Sequence, residues 1–252
     1  MLRDEYLRRL VDGSYIDLYL SGNDGARIYW PWRMQPVHES SKTYRDACES
    51  YIVDSSFNKP EIKNKDVLDK AHKVDAEYAV LSDVYQDCEA TVDAILDGLE
   101  TYDDHQFDGG IITPLQEPFV ECYKEIECDT VDYVAVGGLK DENTQHQIEA
   151  TNSLRDFAGQ EVKIHGLGFT LRGWNGEPNA WVDEINRKPE LLDSVDTSSY
   201  LQKIVMADYE IDKGEERRSV DCARVAEMLV RDLRRVSEYA KCETKTQQTQ
   251  LI

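Results

Sequence analysis

The chain has 252 residues, 40% of them apolar, with 50 acidic against 29 basic side chains and a net charge of −21. Apolar content at that level, gathered in well-formed runs, excludes a disordered chain, and the length suits one α/β barrel or two small domains with a substantial core. No basic face of the kind nucleic acid needs in dilute salt is visible, although Arg217, Arg218, Arg224, Arg231, Arg234 and Arg235 gather near the C-terminus; spread along the chain, the acidic excess reads as the solvated surface of a halophilic protein.

The first strand signal is "IDLYLSG" (16–22). Residues 23–50, with Trp30, Pro31, Trp32 and Pro36, show no clear periodicity and read as one long loop, a type that is commonly functional. Then strand-like and helical stretches alternate. "YIVDSSF" (51–57) precedes the helical "NKDVLDKAHKV", "YAVLSDV" (78–84) precedes "CEATVDAILDGLE", and "GGIITPLQ" (109–116) follows. "YVAVGGL" (133–139) precedes "NTQHQIEATNSLRDFA", and "VKIHGLGF" (162–169) and "SVDTSSY" (194–200) come after it. An eighth strand is expected around "KIVMADYEI" (203–211). Residues 219–243 spell an amphipathic helix, with Val220, Ala223, Val225, Ala226, Leu229, Val230 and Leu233 facing the barrel, and 244–252 a frayed tail.

Strands alternating with helices of this length imply right-handed crossovers and a parallel sheet. The expected architecture is a single α/β domain over 1–252, a (β/α)8 TIM-type barrel, irregular or incomplete. A doubly wound open sheet is the alternative, but "SGNDGAR" (21–27) does not carry its Gly-rich phosphate loop. The six cysteines, Cys48, Cys88, Cys122, Cys128, Cys222 and Cys242, form no C-x-x-C pair. With no leader sequence legible, they read as reduced thiols in a cytoplasm, the host cytoplasm if the protein is viral. No apolar run approaches the ~18 residues of a membrane span, so no membrane partner is expected.

In a parallel barrel the C-terminal strand tips share one mouth. In chain order these tips carry Asp54 with Ser55 and Ser56, then Asp83, Gln116, Gly137 with Gly138, His165 with Gly166 and Gly168, and Asp196 with Ser198 and Ser199. Carboxylates serve as nucleophile, proton carrier or hydrogen-bond acceptor, and paired glycines let a flat ligand approach the backbone. A planar, donor-rich heterocycle such as guanine fits this set. Each element also has an ordinary structural reading. Asp54 and Asp83 could cap helices, the Gly pair could be a plain loop, His165 a packed strand residue and Gln116 an exposed one. The Trp30–Pro31–Trp32 segment is either an aromatic platform for a flipped base or core packing.

The motifs, taken in order, resemble the tRNA-guanine transglycosylases. "DSSFN" (54–58) is similar to that family's D-S-G-G-[FY]-Q motif, "LSDV" (81–84) to its second-Asp strand, and "ITPLQ" (112–116) to its Gln strand. "VAVGGLKDE" (134–142) resembles the [AI]-[IV]-G-G-L motif, "HGLGF" (165–169) the Gly-x-Gly strand, and "SVDTSSY" (194–200) the nucleophile strand. The resemblance runs from about residue 50 to 200. It implies Asp196 as the nucleophile on the ribose C1′ and Asp54 as the general acid/base. It further implies Asp83, Gln116, Gly137, Gly138 and Leu139 as readers of the base edge, with Phe57, His165 and Gly166 beside the base.

Departures from the family refine that expectation. One Ser and then Phe57 stand where the family has Gly-Gly, so the first loop is one residue shorter or rearranged. The family's C-x-C-x-x-C…His zinc site is missing, since Cys222 and Cys242 have no neighbouring cysteines and no His follows His165. No metal and no cofactor are therefore expected. The chain is also shorter than the tRNA enzymes, which makes it resemble more closely the virus-encoded branch, the DpdA group, that places 7-deazaguanines in DNA. The implied partners are a 7-deazaguanine base and a nucleic acid, DNA favoured and RNA the alternative, with a partner protein or a second copy left open. A base or nucleoside hydrolase and a non-catalytic nucleic-acid-binding barrel are the competing classes.

Overall fold

The computed structural model describes residues 2–22, 29–56, 58–59, 61–126, 131–173, 176–198 and 222–239. It is a (β/α)8 TIM-type barrel, in which eight parallel strands follow one another in chain order and the last closes on the first. The strands are β1 (Asp17–Ser21), β2 (Trp32–Pro36), β3 (Ser50–Asp54), β4 (Tyr78–Val80), β5 (Gly110–Leu115), β6 (Tyr133–Val136), β7 (Lys163–Gly166) and β8 (Ser194–Thr197). The described helices are α1 (Leu2–Asp12), α2 (Lys42–Arg45), α3 (Asn64–Val74), α4 (Cys88–Asp103), α5 (Phe119–Glu125), α6 (Thr144–Ala158), α7 (Ala180–Arg187) and α8 (Cys222–Arg235).

Two expectations change. The segment 23–50 is not one long loop, because β2 lies within it and pairs with β1 and β3. That strand, and not "KIVMADYEI", completes the barrel: β8 pairs directly with β1, Tyr19 opposite Asp196. Residues 203–211, Phe57, and the tail 244–252 lie outside the described residues. Trp30 and Trp32 are both buried, and the Trp30 indole N–H donates to the Leu18 carbonyl at 2.7 Å. They pack in the core and offer no exposed platform.

Local chemistry accounts for the helix boundaries. Asp87, Asn143 and Asn179 stand before α4, α6 and α7, and each side chain accepts a backbone N–H of the first turn, satisfying a donor the helix cannot. α3 ends at Asp75, whose φ of 65° turns the chain toward β4. The α8 stripe is as expected where described. Val225, Leu229 and Leu233 recur every four residues and are fully buried, each stabilising the docked helix by roughly 1.5–3 kcal/mol. Asp232 lies on that buried face too, in a bidentate ion pair with Arg172 from the segment after β7, with Nη2 to Oδ1 at 2.9 Å. The pair ties α8 to the mouth side of the barrel.

The interior alternates by register. Around its lower half stand Asp17, Ser50, Tyr78, Tyr133 and Lys163, and the upper half carries Asp54 and Asp196. Tyr78 and Tyr133 meet edge to face at 5.3 Å, and the Lys163 ammonium lies over both rings. Among the described residues no helix is long and apolar enough to cross a membrane.

Candidate active site

Asp54 is the last residue of β3, and its backbone carbonyl accepts the Val37 N–H at 2.8 Å. The chain turns sharply here. Ser56 takes φ +66°, a left-handed conformation unusual for a side chain with a Cβ. That turn aims the N–H groups of Ser55 and Ser56 at the Asp54 carboxylate. Asp54 is half-buried. Burial first, then the charges of Asp196 and Asp83, raise its pKa from 3.8 to about 7, against the opposing pull of the Ser56 and Ser55 N–H donors. Asp54 thus feels the charges of both Asp196 and Asp83 in a single mouth.

Asp83 follows β4 and is held by Gln116, which follows β5. Gln116 is fully buried; its Nε2 donates to Asp83 Oδ2 at 2.6 Å and its Oε1 accepts the Gln86 N–H at 3.0 Å. Burial raises the Asp83 pKa to about 6, with the Gln116 hydrogen bond opposing. Gln116 therefore orients Asp83, leaving the carboxylate as the group that meets a ligand. The glycines after β6 leave room for that amide. A Cβ on Gly137 would stand 2.8 Å from Gln116 Nε2, and one on Gly138, at φ +74°, 2.3 Å from Oε1. The Leu139 side chain belongs to the core and its carbonyl accepts Gln147 Nε2 at 2.8 Å.

The loop after β4 is anchored from below. The Ser82 N–H donates to Asn64 Oδ1 at 2.7 Å, and the Val84 N–H to Thr91 Oγ1 at 2.9 Å. Asn64 is buried at the start of α3 and also donates to the Ala94 carbonyl. Nothing in the sequence pattern marks Asn64, whose partners are 18 and 30 residues away.

Asp196 lies inside β8, one residue before its end, and is 8% exposed. The Gly168 N–H donates to its Oδ1 at 2.7 Å, and His165 Nε2 stands 3.3 Å from the same oxygen. His165 is fully buried. It was expected beside a base, but its neighbours are Asp196, Ser194 and the rings of Tyr19 and Tyr133. The space over Gly166 is filled by Phe169, whose ring carbon would lie 2.3 Å from an added Cβ, and Phe169 stacks on Trp181. Gly166 thus takes a packing role.

The structure therefore brings Asp54, Asp83, Gln116, Gly137, Gly138 and Asp196 to one end of the barrel, and sets His165, Gly166 and Leu139 behind them. Among the described residues no group of three or more His, Cys, Asp or Glu is placed to hold a metal ion. Chemically, the arrangement offers a carboxylate clasped through one oxygen, a second carboxyl that titrates near neutrality, and a third acceptor steadied by a carboxamide. No protein-family model matches the chain, and no curated protein matches it in sequence.

Proposed function

We propose that this protein is a transglycosylase that exchanges guanine in a polynucleotide, DNA in preference to RNA, for a 7-deazaguanine base. The observation that carries the reading is the convergence of Asp54, Asp83 and Asp196 at one barrel mouth, where the charges of the other two add to burial in raising the Asp54 pKa. Two carboxyl groups with different protonation tasks, plus a third that accepts from a base edge, are the parts that glycosyl exchange needs.

Asp196 attacks the ribose C1′ and displaces guanine, forming a glycosyl ester. Cleavage proceeds through an oxocarbenium-like transition state that the carboxylate stabilises and then traps. Asp54, protonated about half the time near pH 7, gives its proton to the departing base nitrogen. The incoming 7-deazaguanine returns a proton to Asp54 as its nitrogen attacks C1′, releasing the Asp196 carboxylate. Asp83, held by Gln116, accepts from the base N1–H and exocyclic amine. A target in a duplex must first be flipped out, at a cost of a few kcal/mol. At molar salt the Debye length is about 3 Å, so the net charge of −21 repels a polynucleotide only at close range.

Incubation with labelled guanine and either DNA or tRNA tests the reading. Incorporation of label into a polynucleotide supports exchange. Release of base without incorporation would instead mark a hydrolase, and no reaction with either acceptor would leave a binding barrel.

A further inference from the structure

The buried chain Tyr133–Ser194–His165–Asp196 runs up the barrel interior to the candidate nucleophile. Ser194 Oγ is 2.5 Å from the Tyr133 hydroxyl and 2.5 Å from His165 Nδ1, and His165 Nε2 is 3.3 Å from Asp196 Oδ1. Tyr133, Ser194 and His165 are 4%, 1% and 0% exposed, so solvent does not compete for these bonds.

From this geometry we propose that His165 is a positioning residue, held as the neutral Nε2–H tautomer by Tyr133 and Ser194, that donates to Asp196 Oδ1 and leaves Oδ2 as the attacking oxygen. The inference rests on the reading of Asp196 as the nucleophile, and it adds which oxygen attacks and what holds the other.

For a neutral ring, the direction of the chain follows from counting protons. Ser194 has one hydroxyl hydrogen and two close neighbours. If Tyr133 donates to Ser194, Ser194 donates to Nδ1, and Nε2 carries the ring proton toward the carboxylate. The opposite direction puts the neutral ring's proton on Nδ1 and sets an Nε2 lone pair against Asp196 Oδ1, two acceptors facing each other. Burial keeps the Tyr133 phenol protonated, its pKa pushed well above the usual 10, so it is available as the first donor. The Gly168 N–H meets the same Oδ1. Two donors from different elements on one oxygen fix the carboxylate plane. This is the logic by which a partner of one histidine nitrogen sets what the other does.

The test has two independent readouts on the full chain. The first is long-range proton–nitrogen NMR of the protein labelled with 15N-histidine, the His165 signals assigned by their loss in His165→Gln. The Nε2–H tautomer is expected at pH 7.5 in the wild type, and it should be lost or mixed in Ser194→Ala. An Nδ1–H tautomer, an imidazolium, or no change in Ser194→Ala would overturn the proposal. The second is the single-turnover rate of covalent adduct formation on a polynucleotide, with the KM for free guanine measured alongside. His165→Phe should slow adduct formation about 10–100-fold, the weight of one hydrogen bond to a charged group, with the KM unchanged. His165→Gln, whose amide N–H reaches the Nε2 position, should recover most of the rate. Gln as slow as Phe, or Phe as fast as wild type, would refute a donor role; Ser194→Ala serves if Phe does not fold. A wild type that forms no adduct on any polynucleotide would sink the transglycosylase reading, and the tautomer would then decide the chain of hydrogen bonds by itself.

Discussion

Replacing Asp54 by Asn should make the protein more stable, and more so at alkaline pH. The folded carboxyl titrates at about 7 against an ordinary 3.8, so between those values the folded state holds a proton that the unfolded chain has released. A raised folded pKa gives stability that is intact below 3.8 and is lost as the pH rises through 7. At about 1.36 kcal/mol per pH unit, the wild type gives up roughly 4 kcal/mol by pH 8 and about 1.5 kcal/mol by pH 5. Asn has the same shape and no charge to desolvate. Asp54→Asn should thus gain about 2.5 kcal/mol more at pH 8 than at pH 5. Urea unfolding at both pH values and one ionic strength measures this, with exposed Asp93→Asn as the control for removing one of many surface charges. A gain equal at the two pH values, or matched by Asp93→Asn, would refute the reasoning. A stabilised but inactive Asp54→Asn is the trade-off expected where a carboxyl is held in a destabilising place for its chemistry.

Other outcomes follow from single residues. Ser56→Gly should raise stability by about 0.5–1 kcal/mol, since glycine adopts φ +66° without a Cβ penalty; a lower melting temperature would show that the turn is not strained. Gly138→Ala should push Gln116 away from Asp83 and weaken guanine binding at least ~10-fold by calorimetry, with a stability loss of about 1–3 kcal/mol. Unchanged binding would mean that the Gln116–Asp83 pair does not meet the base. Elemental analysis of the purified protein should find no stoichiometric zinc; one zinc per chain would point to Cys222 and Cys242 with a histidine.

The barrel was legible because strand-like stretches alternate with helical ones at regular spacing, seven of the eight strands falling on them, and α3 falls on the "NKDVLDKAHKV" window. β2 was not, for a physical reason. Its outward residues Arg33 and Gln35 are polar yet buried, Arg33 under the Tyr44 ring at 5.0 Å and Gln35 donating to the Gly22 carbonyl, and a proline ends it. A strand that buries polar residues on its outward face has no apolar run to read. The three carboxylates were visible as strand-tip residues, since position along a parallel strand largely dictates which end a side chain serves. What supports them was not. Tyr133 and Ser194 are 61 residues apart, His165 and Ser194 are 29 apart, and only the barrel register makes them neighbours. Gln116 looked like a base reader because its chemistry suits one; its burial against Gly137 and Gly138 makes it the support of Asp83.

The most direct test of the account is to find where the polynucleotide attaches. The wild type is mixed with DNA or tRNA in the absence of free base, denatured, digested, and the modified peptide sequenced by mass spectrometry. A glycosyl adduct on Asp196, absent from Asp196→Asn and still formed, more slowly, by Asp54→Asn, is the predicted result. An adduct mapped to Asp54, or none with either nucleic acid, would contradict it.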